Sequence, residues 1–194
     1  MNDPMNIIEN EWSELTRGTK SAQHPFHTFS FCSVNEEIPN SRTVVIRKVS
    51  KKTNEISFNT DNRSTKFKEI SINNNVCCLF YDKKRKVQLR ISGKTYINQD
   101  NDKSIKSWKS MTNESKICYM GPYAPSTMLN SFEPNLPPLL PHQITQEYDD
   151  LGYENFCIVD ISIYRVDWLY LDHKGHKRLL FYLGKNIEPH WISS

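Results

Sequence analysis

Downstream of Phe26 the apolar residues fall in short runs rich in Val, Ile, Phe, Thr and Tyr, each ended by polar turn residues. The runs are Phe26–Val34, Arg42–Val49, Glu55–Asn59, Val76–Tyr81, Val87–Asn98 and Cys157–Ile163. Such a pattern reads as strands of a half-buried sheet and excludes a helical bundle. No stretch reaches the ~20 consecutive apolar residues of a membrane-spanning helix. The turns KKTN at 51–54 and DKKRK at 82–86 join neighbouring runs, so an antiparallel arrangement of hairpins is expected. Phe156–Tyr170 and Arg178–Tyr182 return the chain to the sheet.

Helical spacing interrupts the strands in a few places. Ile7, Ile8, Trp12 and Leu15 repeat on one face and stop at Gly18, which predicts an N-terminal helix within residues 1–20. Ser64–Ile72 and Ile105–Met111 are two further short helical stretches. Residues 120–146 hold Pro122, Pro125, Pro134, Pro137, Pro138 and Pro141, so a loop insertion is expected there. With 194 residues and about 150 per domain as the prior, the chain reads as a single domain, mainly β with flanking helices.

Lys and Arg number 25 against 22 Asp and Glu, a net charge of +3, too balanced for a protein whose main task is gripping nucleic acid. A bound anion should therefore be small. Lys83–Lys86 reads as a solvated hairpin tip, with a basic run read by nuclear import as the other possibility. Asp3, Glu9, Glu11 and Glu14 near the start differ from a signal or transit peptide, so a cytoplasmic protein is expected, with nuclear presence open. The five cysteines form no CxxC pair, and Cys77 and Cys78 lie in an apolar run as small buried hydrophobes.

Four segments carry candidate chemistry. In Ser41–Arg47, side-chain alternation puts Arg42, Val44 and Ile46 on one face and Arg47 on the other; the bland reading is arginines fanning into water. Phe58–Lys66 leaves a strand, turns on Asp61 and Asn62, and starts a helix. Its backbone N–H groups, the Ser64 and Thr65 hydroxyls, and Arg63 and Lys66 make an anion site or an ordinary N-cap. Gln88, alone among apolar neighbours, has an amide suited to a heterocycle edge. Val166–Leu171 precedes a basic stretch through Arg178; His173 and His176 lack a third ligand and sit among lysines, so no metal is expected.

In this order, the four segments resemble the FMN-binding split β-barrels of the pyridoxamine 5′-phosphate oxidase family, closest in pattern to its Alr-type branch. The resemblance covers residues 24–110 and 156–182 and rests on the arginine strand, the T-D-x-R-S-x-K turn, the Q-x-R-x-x-G strand and the W-L…H-x-R tail. It implies an antiparallel, Greek-key-like split barrel in which Arg42, Thr43, Val44, Val45, Ile46 and Arg47 line FMN. Asn59 and Thr60 would sit by its ring, while Ser64, Thr65 and Lys66 would hold its phosphate. Arg63 would supply the charge of the arginine that the oxidase carries where this chain has Thr65. Gln88 would bond the flavin edge, and Trp168 and Arg178 would reach across from a second subunit, implying a homodimer with FMN at the interface.

For a small phosphorylated or reducible substrate the resemblance implies Arg47, Lys174 and His176, with lysine where the oxidase tail has arginine. Trp108, Thr112 and Lys116 stand near the places of three oxidase substrate residues, again without the arginine. The expected function is that of an FMN-dependent oxidoreductase whose catalytic residues and substrate are not set. A silent FMN-binding paralogue acting as carrier or sensor is the alternative, and other split barrels hold a deazaflavin or haem instead.

Overall fold

The computed structural model describes residues 3–194, so Met1 and Asn2 of the expected 1–20 helical region lie outside the described residues. The first helix, α1 (Pro4–Gly18), starts where the Asp3 carboxylate accepts from the Met5 N–H and proline takes the first turn. It ends where a Cβ on Gly18 would lie 2.6 Å from the Phe26 carbonyl oxygen. Among the described residues no helix is long and apolar enough to cross a membrane.

Nine strands follow: β1 (Thr28–Asn35), β2 (Ile38–Val45), β3 (Lys48–Ser50), β4 (Glu55–Asp61), β5 (Asn75–Asp82), β6 (Val87–Asn98), β7 (Phe156–Tyr170), β8 (Lys177–Leu183) and β9 (Ile187–Trp191). They form one sheet in the order β2-β1-β5-β6-β7-β4-β3, with β8 on β7 and β9 on β8. The helices between them are α2 (Thr65–Ile72), α3 (Asp102–Ser110), α4 (Asn113–Lys116) and α5 (Gln146–Asn155).

The run expected as one strand, Arg42–Val49, is two. β2 pairs with β1 through Val45; then the Ile46 N–H donates to His27 O and the Arg47 N–H to Ser57 O, moving the chain onto β4. β2 also begins earlier, at Ile38, because a tight turn with Glu36 at φ 53° closes the β1–β2 hairpin. α5 and β9 were not expected.

The residues pack as two compact units. Of the described residues, the first comprises 3–58, 73–96 and 160–194; the second comprises 59–72 and 97–159. In the first, Phe26, Phe29, Phe31, Phe58 and Phe80 are buried. Phe29 stacks on Phe80 at 4.6 Å, and Phe31 lies 4.8 Å from Phe58. In the second, Trp108, Tyr119, Met120, Phe156 and Ile158 form the core. The proline-rich segment belongs to the second unit and is tied by Asn135, whose side chain accepts from the Tyr123 N–H (3.0 Å) and donates to the Tyr123 carbonyl (2.8 Å). That reciprocal pair closes residues 123–135 into a loop with adjoining ends.

Candidate functional site

In the first unit, burial alternates along the end of β2 and the two residues after it: Val44 and Ile46 are buried, Arg42 and Val45 half-buried, Thr43 and Arg47 exposed. Arg42 faces Phe31 across the β1–β2 ladder. Its guanidinium lies 5.9 Å from that ring and donates to the Ser33 hydroxyl. Arg47 sits where the chain passes from β2 to β3, its N–H bonded to Ser57 O at 2.8 Å.

Gln88 is half-buried opposite Tyr81. Two residues on, and therefore on the same face, Arg90 donates to Asp167. Asp167 also accepts from Arg178 Nε (2.9 Å) and Nη2 (2.7 Å). Burial pushes the Asp167 carboxyl up, but the bonds from Arg178 and Arg90 outweigh it and hold the group below the usual carboxylate range. Arg90 and Asp167 were missed as site residues; their signal was the Q-x-R spacing and the acid beside Trp168. Asp167 positions Arg178, a predicted cofactor residue.

Trp168 goes the other way. In the β7–β8 ladder it opposes Leu179, whereas Arg178 opposes Leu169, so Trp168 and Arg178 leave the hairpin on opposite faces. The Trp168 indole N–H donates to Glu11 at 3.2 Å. Lys174 and His176 lie in the exposed β7–β8 connection, where the Lys174 N–H donates to the Asp172 carboxylate and His176 Nδ1 accepts from the Asp172 N–H.

In the second unit the Asp61–Lys66 turn forms a compact polar cluster. Asp61 Oδ1 accepts from the Arg63 N–H (2.8 Å) and Oδ2 from Arg63 Nη2 (2.7 Å), while Arg63 Nη1 reaches Gly121 O at 3.0 Å. The charge expected from Arg63 is therefore neutralised by its own neighbour. Ser64 Oγ donates to Asp61 O (2.7 Å) and lies 3.4 Å from Thr60 Oγ1, which accepts from Lys66 Nζ at 3.0 Å. Thr60, Ser64 and Lys66 are thus brought together at the start of α2, with Thr65 exposed beside them. Asn59 points its amide at Met111 Sδ, 3.9 Å away. Burial, and then the Asp61 charge, push the nearby Cys157 thiol up to about 12.

Residues 9–99 match the family model described as the pyridoxamine 5′-phosphate oxidase FMN-binding domain. The match takes in the arginine strand, the Asn59–Lys66 turn and Gln88. A pyridoxamine 5′-phosphate oxidase-related, FMN-binding protein of Nostoc punctiforme superposes with a TM-score of 0.73 over 100% of both chains at 20% identity. The chain shares the fold of that pyridoxamine 5′-phosphate oxidase-related protein. PhzG of Burkholderia lata, in complex with tetrahydrophenazine-1-carboxylic acid, matches with a TM-score of 0.70 over 100% of this chain and 94% of that one at 11% identity. A general stress protein 26-related protein of Clostridium acetobutylicum follows at 0.56 over 94% and 97%, with 14% identity. No curated protein matches this split barrel in sequence.

Proposed function

We propose that this split barrel binds FMN and works as an oxidoreductase on a small reducible substrate. The match of residues 9–99 to an FMN-binding domain carries the reading. The start of α2 suits a phosphate: N–H groups of a helix N-terminus, the Thr65 hydroxyl and the Lys66 ammonium are donors for a dianion, while the Ser64 hydroxyl beside them already donates to Asp61 O. Arg42, Arg47, Asn59 and Thr60 would flank the ring, Gln88 its edge, and Arg178, braced by Asp167, would close the site from a second subunit of a homodimer. Trp168, on the opposite face of the hairpin, is not needed by this reading. When bound, FMN would supply the redox chemistry, in its reduced form delivering a hydride to a reducible substrate, or in its oxidised form taking one from an oxidisable substrate such as a B6 phosphate.

A second reading is favoured by the β7–β8 connection, where Lys174, Gly175 and His176 are exposed and no arginine stands to grip a substrate phosphate. The protein would then hold FMN without turnover, as carrier or sensor.

The test is an absorption spectrum of the purified protein after FMN is added and the excess removed by desalting. Retained flavin bands are expected, and a colourless protein refutes the proposal. Bleaching and peroxide release on adding pyridoxamine 5′-phosphate would favour the oxidase, and a flavin that persists unchanged would favour the carrier. Light scattering of the loaded protein checks the dimer.

A further inference from the structure

Within the first unit, α1 and the ends of β6 and β7 line a cavity of about 510 Å3, within the ~300–1,000 Å3 typical of small-molecule sites. We propose that it is a second ligand site, built for a flat aromatic amine. The proposal is independent of the flavin reading, because Trp168 enters this cavity from the face of the β7–β8 hairpin opposite Arg178.

The walls suit a flat ring. Trp168 and Tyr170 occupy alternate positions of β7 and so project from one side of the strand. Their rings lie parallel, 13° apart in plane and 6.3 Å between centroids. The indole is fixed because its N–H donates to Glu11, a carboxylate only 3% exposed. Tyr170 already draws a cation, the Lys177 ammonium, 5.9 Å from its centroid, the attraction expected of a ring face. On α1, Asn6 and Asn10 stand four residues apart on one helix face and line the same space, and the Asn10 amide donates to Glu11 at 3.4 Å.

The charge around the cavity selects the sign of the ligand. Glu11 accepts from Arg85 Nη1 (2.9 Å) and Nη2 (3.0 Å). The same guanidinium meets Asp82 at 2.7 Å and Glu14 at 4.0 Å. Glu14 is also met by Arg17 at 2.6 Å and His24 at 3.0 Å, and the charged groups that line the cavity are Asp3, Glu11 and Arg85, two acids to one cation. An anion, the phosphate of FMN included, enters an unfavourable field. An ammonium on an aromatic ring gains the carboxylates and the ring faces together.

The experiment is calorimetric titration of the full chain with tryptamine and with indole-3-acetate, which share a ring and carry opposite charges. Tryptamine should bind, and indole-3-acetate should bind about tenfold more weakly or worse. Asn6→Lys, at an exposed position of α1, keeps the fold and should weaken tryptamine about tenfold. Tyr170→Ala should weaken it about fivefold, with circular dichroism confirming the sheet. Equal binding of the two compounds, binding of neither, or indifference to both substitutions overturns the site. Flavin retention, measured on the same preparation, stands or falls separately.

Discussion

Two arginines of this molecule are forked on carboxylates at nearly equal exposure, and they do different things. Arg85, with 26% of its side chain exposed, holds Glu11 from 74 residues away as well as its neighbour Asp82, both acids almost fully buried. Arg63, at 24%, holds Asp61 two residues back in the chain. The first pair fastens α1 to the tip of the β5–β6 hairpin; the second braces a turn, and the rest of the Arg63 guanidinium reaches only a neutral carbonyl, Gly121 O. Pair geometry therefore does not tell a tertiary fastening from a local brace. Sequence separation does, for Glu11, Asp82 and Asp61 are all buried.

Substituting Arg85 by alanine should produce the largest loss, about 3–5 kcal/mol of unfolding free energy in a urea titration, because two buried carboxylates, Glu11 and Asp82, lose their guanidinium partner at once. If Arg63→Ala costs as much, the distinction between fastening and brace collapses; about 1–2 kcal/mol is expected, since Asp61 keeps the Arg63 backbone N–H. Between these two lies Lys66→Ala, which should weaken FMN binding by roughly 1.5–3 kcal/mol in a flavin titration while leaving stability nearly unchanged.

Acid sharpens the comparison further. Burial raises the Asp82 carboxyl, but its bonds to Arg85 more than offset that and hold it low, as Arg178 and Arg90 hold Asp167. Groups lowered by folding add stability above their unfolded value near ~3.9, and that stability disappears as pH falls through the lowered one. Asp167→Asn should therefore flatten the loss of stability below about pH 4, seen by chemical unfolding at stepped pH. The smallest effect is kinetic. Cys78 and Cys157, raised by burial, should react with a thiol reagent at pH 8 only after exposed Cys118.

The sheet was readable in the sequence because its strands are amphipathic or apolar runs between polar turns, and the N-terminal helix because four apolar residues repeat at helical spacing. What escaped lacked such a signal. The start of β2, Ile38–Ser41, contains Pro39 and polar residues, tolerated because β2 is an edge strand. Its turn uses Glu36 rather than glycine or asparagine at positive φ. β9, with Pro189 at its centre, is also an edge strand. α5 is acid-rich, and only the Thr145 hydroxyl accepting from the Tyr148 N–H marks its start.

The site was legible as four motifs but not in its pairing. Spacing in the tail puts Trp168 and Arg178 ten residues apart, yet the faces they take depend on the residues that oppose them in the β7–β8 ladder. Similarly, the neutralisation of Arg63 follows from the conformation of the Asp61 turn, which composition does not reveal.

The asparagine clamp on residues 123–135 makes that loop a place where foreign sequence can be spliced. The cost of ordering its ends is met by Asn135 and Tyr123 rather than by the residues between them, and lengthening a closed loop adds only about 0.6 kcal/mol per doubling. Met128, at its tip, is 97% exposed. A peptide tag or sensor segment grafted there would ride on the second unit while its core of Trp108 and Phe156 stays intact, which makes this loop a natural port for labelling the protein.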